Sequence, residues 1–365
     1  MYLLVPASLA KLEVFIMIEI DFESLGAIGL TPYIAQQLLQ LETAAADVFP
    51  ARIIEIHGEW MLAHSGQSEY RVRALPALGV GLAVGDWVIV ESRPNNEYWI
   101  SQCMEPVTQI SRRTHEGNRQ VLVTNVDTAL LVMGLDNDFN LRRMERYLAI
   151  VQAVQVMPVI VLTKQDIAEN FAEKLEQIKQ RLPAHLPIVA VNALHESTVM
   201  VLAPWLRKGQ TLVLLGSSGA GKSTLTNTLT SSTQATGDVR KDDSKGRHTT
   251  TSRSLHQCTT GACIIDTPGL RSWSPDVDEE SLGLAFDDIA TLAINCRFRN
   301  CEHQDEPGCA VREFVDADRL RNYQKLLREV RRSQQTALER IDERAKWKVL
   351  HKAAAARARE KRDGY

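Results

Sequence analysis

The chain has 365 residues, of which 44% are hydrophobic and 24% are charged, and its formal net charge at pH 7 is −3. This length allows two or three domains with their own cores, and the mildly acidic balance argues against binding of polyanions over the whole surface. No run of 18 apolar residues occurs and the cysteines number only six, so we expect no membrane span and no disulfide framework, but a reduced, cytoplasmic protein.

The first 45 residues form an extension that precedes the first predicted domain. Residues 1–20 are apolar but carry three charged side chains. A secretory signal has a basic start and an uninterrupted apolar centre, so this segment does not fit one. We predict that translation starts at Met17 and that the first sixteen residues are disordered or misassigned. One helix is predicted at 33–41, with Thr31 and Pro32 at its start.

Residues 46–110 change in character to short alternating runs separated by glycine and Pro-Asn turns. These runs predict strands at 51–56, 69–73, 86–91 and 98–101. Short strands at this spacing are typical of a small closed β-barrel, and we favour the oligonucleotide-binding (OB) type. The alternative is a generic barrel that serves only to pack one domain against another.

Residues 111–275 alternate between strand-like and helical patterns. Buried strands are predicted at 128–133, 158–162, 187–191, 211–215 and 262–265, and helices at 141–151 and 168–182. Such alternation predicts an α/β domain with a parallel sheet covered by helices on both faces. Residues 252–258, which turn back into the last strand, are expected to form an antiparallel hairpin at the edge.

The segment Thr163, Lys164, Gln165, Asp166 directly follows the predicted strand at 158–162. The Asp166 carboxylate can accept hydrogen bonds from the ring N–H and the exocyclic amine of guanine, whereas adenine offers no such pair of donors. Because a buried unpaired carboxylate is costly, this residue favours guanine strongly. In isolation the segment is more often a surface helix start, but its place at the end of a strand favours the binding role.

A glycine-rich loop follows the strand at 211–215 and precedes a predicted helix at 222–229. Its residues are Gly216, Ser217, Ser218, Gly219, Ala220, Gly221, Lys222, Ser223 and Thr224. Glycines let the backbone N–H groups converge on an anion at the start of the helix. Lys222 would reach the β- and γ-phosphates, and the Ser223 hydroxyl would ligate magnesium. The alternative is a strand-to-helix turn that binds nothing.

Two further segments complete the predicted nucleotide site. Asp266 can hold magnesium through water, and the Gly269 N–H can reach a γ-phosphate. The polar loop at 245–251 should be mobile, with a threonine, assigned here as Thr250, that ligates magnesium only when the γ-phosphate is present. Leu270 cannot orient a water molecule, so hydrolysis should be slow without help, and His248 in the polar loop is a candidate to position that water.

Residues 276–365 are predicted to form a mainly helical, zinc-binding domain with a basic tail. Three thiolates and one imidazole, from Cys296, Cys301, His303 and Cys309, match a closed tetrahedral zinc site, which we interpret as structural. Coincidental packing is the alternative. A helix with Leu320, Tyr323, Leu327 and Val330 on one face follows. The tail at 341–365 has eight Lys or Arg and four Asp or Glu, which indicates either a solvated helix end or nucleic-acid contact.

Together these motifs resemble the guanine-nucleotide signatures of GTPases in permuted order, since 163–166 and a candidate guanine loop with Asn192 and Ala193 precede the phosphate loop. A circularly permuted GTPase between a barrel and a cysteine cluster resembles the ribosome small-subunit-dependent GTPase A family, over roughly residues 20–345. The elements Gly-Arg-His-Thr-Thr-Thr and Pro-Gly-Cys-Ala are specific to it. The resemblance implies a monomer that binds GTP with Mg²⁺ and one structural Zn²⁺.

The resemblance also implies a role and a partner. Such a protein binds the small ribosomal subunit late in its maturation, hydrolyses GTP there and departs, with rRNA contacts from the barrel and the tail. His248 would then either position water or only contact the ribosome. The family usually has asparagine at the position of Thr163 and more often serine at that of Asn192, which puts nucleotide affinity in doubt but not base choice.

Two other functions remain open from the sequence. A P-loop kinase acting on a small molecule would prefer ATP and need an acceptor pocket, but it gives Asp166 and the cysteine cluster no role. A zinc-dependent RNA-binding scaffold with an inert nucleotide site would show no turnover even with ribosomes. Hydrolysis of GTP and not ATP, stimulated by small subunits, would exclude both.

Overall fold

The computed structural model describes residues 20–41, 47–78, 81–114, 118–230, 253–268, 274–275 and 277–334. Several predictions concern positions outside these ranges: the start at Met17, the loop at 245–251 with His248 and Thr250, Gly269, Leu270 and the tail at 341–365. Among the residues described, no helix has the length and apolar character needed to cross a membrane. The domain boundaries at residues 45, 110 and 275 stay predictions.

The predicted N-terminal barrel is confirmed. Two helices precede it, α1 (Phe22–Ala27) and α2 (Pro32–Leu39), and its strands are β1 (Val48–His57), β2 (Trp60–His64), β3 (Glu69–Ala74), β4 (Trp87–Arg93) and β5 (Glu97–Cys103). The strand order is β1-β2-β3-β5-β4, and pairing of β4 with β1 closes the barrel. Only β3 and β5 run parallel, and this five-stranded closed barrel matches the OB type. The sequence patterns missed α1 and β2, which are too short to show a clear period.

A three-stranded sheet that the sequence did not predict follows the barrel. It consists of β6 (Gln109–Arg113), β7 (Arg119–Thr124) and β14 (Ser274–Pro275), in the order β14-β6-β7. The pairing of β6 with β7 is irregular between Ile110 and Ser111, so the two-residue alternation that reveals a strand is interrupted there. This sheet brings the start of the α/β region next to residues 274–275.

The predicted parallel sheet is confirmed, and the predicted antiparallel hairpin adjoins it, but the outer strand of that hairpin is not an edge, because the barrel strand β1 pairs with it. The elements of this region are β8 (Thr128–Gly134), α3 (Leu141–Ala153), β9 (Met157–Thr163), α4 (Phe171–Arg181), β10 (Ile188–Ala190), α5 (Ser197–Leu202), β11 (Thr211–Gly216), α6 (Lys222–Thr230), β12 (Ser254–Gln257) and β13 (Cys263–Asp266). The order is β10-β9-β8-β11-β13-β12, and only β12 runs antiparallel to its neighbour β13. Every residue of β8 and β11 is buried, as expected for central strands covered on both faces.

The helix α4 begins later than the sequence predicts. A short 3₁₀ turn at Gln165–Ile167 follows β9, and Asn170 has a positive φ of 55° immediately before the helix. At these two features the backbone leaves the extended conformation of β9 and changes direction before α4 begins. The turn includes Gln165 and Asp166 of the predicted guanine-binding segment 163–166, named here the base-reading motif, so the later start of α4 leaves this segment at the carboxyl end of β9.

The barrel and the α/β region share one continuous sheet. Strand β1 pairs with β12 at Glu55 and Ser254. A second connection is the guanidinium of Arg52, which is 0% exposed and donates to four oxygens. These are Ile28 O at 2.6 Å, Thr211 Oγ1 at 2.8 Å, Asn125 O at 2.9 Å and Gly85 O at 3.2 Å. Arg52 thus joins the N-terminal helices, the barrel and the start of β11.

The C-terminal region is helical, as predicted, with α7 (Glu279–Ala285), α8 (Asp287–Ala293), α9 (Ala310–Phe314) and α10 (Ala317–Gln334). Leu320 and Val330 of α10 are buried, and Leu326 joins them. The fully buried Glu145 of α3 connects this region to the sheet. It accepts hydrogen bonds from Arg181 of α4 and from Arg319 and Asn322 of α10.

Candidate functional site: nucleotide loops and cysteine cluster

The glycine-rich loop is shaped as a cradle at the carboxyl end of β11. Gly219 and Gly221 have φ values of 84° and 93°, which side chains other than glycine rarely adopt. A Cβ on Gly216 would lie 2.5 Å from the carbonyl oxygen of Val132 on the neighbouring strand. Glycine is therefore required at these positions for the backbone to approach β8 and to point its N–H groups inward.

Lys222 lies within this cradle. Its ammonium donates to the carbonyl oxygens of Gly216 at 3.1 Å and Ser217 at 2.7 Å, and its side chain is buried. Burial lowers the pKa of Lys222, while the charges of Asp266 and Asp138 oppose that shift. A buried cation that is bonded only to neutral carbonyls has unused capacity for an anion, and phosphate is the anion this loop geometry suits.

A pair of oxygen ligands lies beside the cradle. Ser223 is the second residue of α6, and its Oγ donates to Asp266 Oδ2 at 3.3 Å. Asp266 ends β13, is 0% exposed and is brought here because β11 and β13 are parallel neighbours. A hydroxyl and a carboxylate oxygen side by side are the donors that Mg²⁺ prefers, so the residues present fit that ion.

Thr163 contacts the phosphate loop directly. Its Oγ1 donates to the carbonyl oxygen of Ala220 at 2.6 Å, and the side chain is fully buried. A Cβ on the adjacent Gly221 would lie 3.3 Å from the same Oγ1. The short hydroxyl therefore does reach the loop and braces it, although the sequence put this contact in doubt.

The rest of the base-reading motif projects from the turn after β9. Lys164 has a positive φ of 61°, and its ammonium lies 2.7 Å from Asp136 Oδ2. Gln165 and Asp166 are exposed at the same edge of the sheet. The backbone N–H of Gln165 donates to Val191 O at 3.5 Å, which places this turn next to the predicted guanine loop.

The predicted guanine loop is tied to the helix that follows the phosphate loop. Thr228 of α6 donates through Oγ1 to the carbonyl oxygen of Ala193 at 2.6 Å. The Asn192 side chain accepts from the Leu194 N–H at 3.0 Å, so it stabilises its own turn. The structure therefore brings all the described residues of the predicted nucleotide site to one edge of the sheet.

Sequence reasoning missed two aspartates in the loop between β8 and α3. Asp136 pairs with Lys164, as described above, and Asp138 accepts a hydrogen bond from the Ser217 hydroxyl of the phosphate loop. Asp138 also pairs with Arg143 of α3 and accepts from the Gly134 N–H at 3.1 Å. The sequence did offer a signal for them. Both carboxylates directly follow a buried strand, and this strand neighbours the strand that leads into the phosphate loop.

The four predicted metal ligands meet beside α9. The Sγ atom of Cys296 lies 3.7 Å from His303 Nδ1 and 3.9 Å from Cys309 Sγ, and the latter two atoms are 3.4 Å apart. All four ligand atoms, including that of Cys301, lie within 4.8 Å of one another. Tetrahedral zinc with bonds of about 2.0–2.3 Å separates its ligands by about 3.5–3.8 Å, so the residues fit this ion.

The barrel has a cluster of two aromatic rings and a cation at the end of β1 and on β2 and β3. The Trp60 ring stacks on His57 with centroids 4.2 Å apart, and the Arg71 guanidinium lies 4.4 Å from the Trp60 centroid. Flat rings beside a cation are the groups on which unpaired nucleobases stack.

Comparison with known proteins identifies several similar sequences. A sequence model of the RsgA GTPase matches residues 104–275, and one of a 50S ribosome-binding GTPase matches residues 211–349. A Vibrio vulnificus (strain CMCP6) protein named small ribosomal subunit biogenesis GTPase RsgA 2 is 42% identical over 314 residues, covering 84% of this chain and 88% of its own. A Xanthomonas oryzae pv. oryzae (strain MAFF 311018) protein named small ribosomal subunit biogenesis GTPase RsgA is 41% identical over 303 residues, covering 79% and 82%.

Two solved structures share the fold. YjeQ from Thermotoga maritima superposes with a TM-score of 0.57 at 21% identity, covering 78% of this chain and 98% of its own. YloQ, described as a circularly permuted GTPase, superposes with a TM-score of 0.55 at 22% identity, covering 80% and 98%. The fold found here is therefore shared with both of these structures.

Proposed function

The chain belongs to the RsgA family of GTPases, and on that basis we propose that it hydrolyses GTP in response to the small ribosomal subunit and acts late in the maturation of that subunit. The observation that carries the proposal is the convergence of the phosphate loop, Asp166 and Asp266 at one edge of the sheet. A small-molecule kinase gives no role to Asp166, and the comparisons support the GTPase and not the kinase.

We assign the nucleotide contacts as follows. Lys222 and the backbone N–H groups of 216–224 bind the phosphates, and the Asp166 carboxylate selects guanine by accepting from its two N–H donors. Lys164 is held by Asp136 in the turn that presents Asp166, which supports this assignment. Asn192 and Ala193 form the second side of the base site.

Ser223 and Asp266 would hold Mg²⁺, with Thr250 as a further ligand. The ion, when bound, neutralises charge on the phosphates during transfer. The contact between the Ser223 hydroxyl and the Asp266 carboxylate supports this assignment, because it already brings two of the three oxygens together. The chain's own contribution is to hold these oxygens beside Lys222.

His248 is proposed to orient the attacking water, because Leu270 cannot do so. The test compares His248→Ala with the parent for GTP binding and for hydrolysis with small subunits. We expect unchanged binding and a large loss of stimulated turnover. Normal stimulated turnover in the variant would remove His248 from the mechanism and leave it, at most, a ribosome contact.

The cysteine cluster is proposed to hold one structural Zn²⁺ through Cys296, Cys301, His303 and Cys309. Its attachment to α10 supports a structural role: Gln324 donates to the carbonyl oxygen of His303 at 2.9 Å. We further propose that the protein acts in the cytoplasm as a monomer. Its rRNA contacts would come from the barrel surface around Trp60 and from the tail at 341–365.

The deciding experiment measures hydrolysis of GTP and of ATP with and without purified small subunits. We expect stimulation by small subunits with GTP only. The Ser223→Ala variant, measured beside the parent, should lose the hydrolysis that small subunits stimulate, because it lacks one proposed magnesium ligand. Equal hydrolysis of ATP would favour the kinase, and no turnover under any condition would favour the RNA-binding scaffold.

A further inference from the structure

The phosphate loop contacts an aspartate to which the nucleotide contacts assigned above give no role. Asp138 lies between β8 and α3, and its Oδ1 accepts a hydrogen bond from the Ser217 hydroxyl at 2.5 Å. The carbonyl oxygen of the same serine accepts from the Lys222 ammonium at 2.7 Å. Ser217 and Lys222 are both buried. A carboxylate is therefore connected to the phosphate-binding lysine through a single residue of the loop.

The backbone at the end of β8 fixes the position of Asp138. Its Oδ2 accepts from the N–H of Gly134, the last residue of β8, at 3.1 Å. A Cβ on Gly134 would lie 3.3 Å from the Asp138 Cβ and 2.5 Å from Asp136 Oδ1, so the chain can fold back this closely because the residue is glycine. The Asp138 side chain is 12% exposed. Its carboxylate is thus held in one place by contacts at both oxygens.

A carboxylate at this place opposes the binding of phosphates, because like charges repel each other more strongly where water is partly excluded. Arg143 offsets that charge. Its Nη2 donates to the Asp138 carboxylate and to the carbonyl oxygen of Asp138. Burial lowers the pKa of Lys222 most strongly, but the charge of Asp138 raises that pKa and the charge of Arg143 lowers it. The two side chains therefore act on the cradle with opposite signs.

Arg143 is held in this position by the start of α3. Its backbone N–H donates to the Asn140 side chain at 3.0 Å, which caps the helix. The neighbouring Arg142 and Arg146 pair with carboxylates of α10 and so attach α3 to the C-terminal region. The partner of Arg143 is instead Asp138. Arg143 therefore connects α3 to the carboxylate that contacts the phosphate loop.

We propose that Asp138 is a positioning residue of the phosphate loop and that Arg143 is its counter-charge, an inference that rests on the proposed function. Asp138 fixes Ser217, whose carbonyl oxygen in turn orients Lys222 toward the phosphates. Arg143 cancels the negative charge of Asp138, which would otherwise repel GTP more than GDP, since GTP carries the additional charge of the γ-phosphate. The pair thereby sets the relative affinity of the protein for the two nucleotides.

The first test changes the charge of the pair in both directions. Arg143→Gln leaves the Asp138 carboxylate uncompensated, so affinity for a non-hydrolysable GTP analogue should fall more than affinity for GDP. Asp138→Asn leaves the Arg143 guanidinium uncompensated and should favour the GTP analogue. We expect the ratio of the two affinities to change by about 2- to 10-fold, with opposite sign in the two variants. Titration with fluorescent GDP and a fluorescent GTP analogue, with Mg²⁺ and without ribosomes, measures this ratio.

Two further variants separate this role from a structural one. The double variant Asp138→Asn, Arg143→Gln is uncharged and keeps the approximate shape of the pair, so its affinity ratio should return to that of the parent. Arg142→Gln removes the same charge from the adjacent residue, whose partner lies on α10, and should leave the ratio unchanged. A purely structural contact would change both affinities by one factor and would not give opposite signs. A ratio that is the same in all the variants, or that Arg142→Gln shifts equally, would overturn the role of Arg143.

The positioning role is tested from the other side of the hydrogen bond. Ser217→Ala removes the hydroxyl and keeps both charges, so it should weaken GDP and the GTP analogue by the same factor of about 2- to 10-fold. Unchanged affinity in this variant would show that the contact does not position the loop. These titrations need no small subunits. If small subunits fail to stimulate hydrolysis by the parent, the proposed function fails, while the titrations still decide the roles of Asp138 and Arg143.

Discussion

The hydrogen bond from Thr163 to the phosphate loop gives a quantitative prediction for Thr163→Val. Valine keeps the shape of threonine and replaces the hydroxyl with a methyl group. The bond from Oγ1 to Ala220 O is 2.6 Å long and buried, so its loss should cost about 1–2 kcal/mol. Part of this lost free energy lowers the free energy of unfolding of the free protein. The rest weakens nucleotide binding, because the loop must then be ordered when the nucleotide binds.

If the whole cost is expressed in loop ordering, affinity falls by about 5- to 30-fold, since about 1.4 kcal/mol is a factor of ten. This factor is the largest loss of nucleotide affinity expected for Thr163→Val. GTP and GDP should lose affinity by the same factor, because Ala220 lies in the loop that holds the phosphates common to both. Titration with fluorescent GDP and a fluorescent GTP analogue measures the factor, and urea unfolding of the free protein measures the remainder.

Thr163→Ser is the matched control, since it keeps the hydroxyl and loses only the methyl group. It should retain most of the affinity that Thr163→Val loses. The reasoning would be refuted if valine matched the parent in both affinity and stability, or if only GTP binding suffered. Equal losses in the serine and valine variants would show that packing, and not the hydrogen bond, braces the loop.

Three further predictions follow from other parts of the molecule. Glu145→Gln should lower the free energy of unfolding in urea by up to about 3–5 kcal/mol, because Arg181 and Arg319 then keep only their more exposed partners Asp318 and Asp288. Glu279→Gln, at a half-exposed pair with Arg331, should change it by less than about 1 kcal/mol, and a similarly small effect at Glu145 would contradict the buried network. Removal of zinc by a chelator should expose the three thiols of the cysteine cluster to alkylation, which mass spectrometry detects. Cys258 should stay unreactive because burial raises its pKa to about 12. Labelling of Cys258 as early as the cluster would contradict this prediction. Burial would raise the pKa of Asp136, but the hydrogen bond and charge of Lys164 outweigh it and hold that pKa below its usual value. The pair therefore stabilises the parent above about pH 4 and is lost as the pH falls further, so Asp136→Asn should show a smaller loss of stability in acid than the parent; identical acid unfolding curves would refute this.

The strands that hold the nucleotide loops could be predicted from the sequence because they are buried on both faces. Runs such as 128–133 and 211–215 are apolar throughout and end in polar or glycine residues, so their ends mark the functional edge. The cluster of three cysteines and one histidine could be predicted equally well, since the spacing of these residues is short and their types are rare. In both cases the information is local in the sequence.

The contacts that join distant segments could not be predicted. Asp138 reaches Ser217 across 79 positions of the sequence, and Arg52 reaches Thr211 across 159. Neither Asp138 nor Arg52 belongs to a sequence motif, and hydrogen bonds between distant segments depend on how whole strands are placed. The β6–β7 ribbon was missed because its irregular register interrupts the alternation on which strand prediction depends.

The position of Arg52 has a consequence for how the protein relates RNA to nucleotide. Arg52 fixes the first residue of β11, and the phosphate loop leaves from the last residue of the same strand. A strand of six residues spans about 20 Å and does not stretch. The barrel and the phosphate cradle are therefore held at opposite ends of one rigid strand. Under the proposed function, RNA bound to the barrel and nucleotide bound in the cradle would lie at a fixed distance from each other.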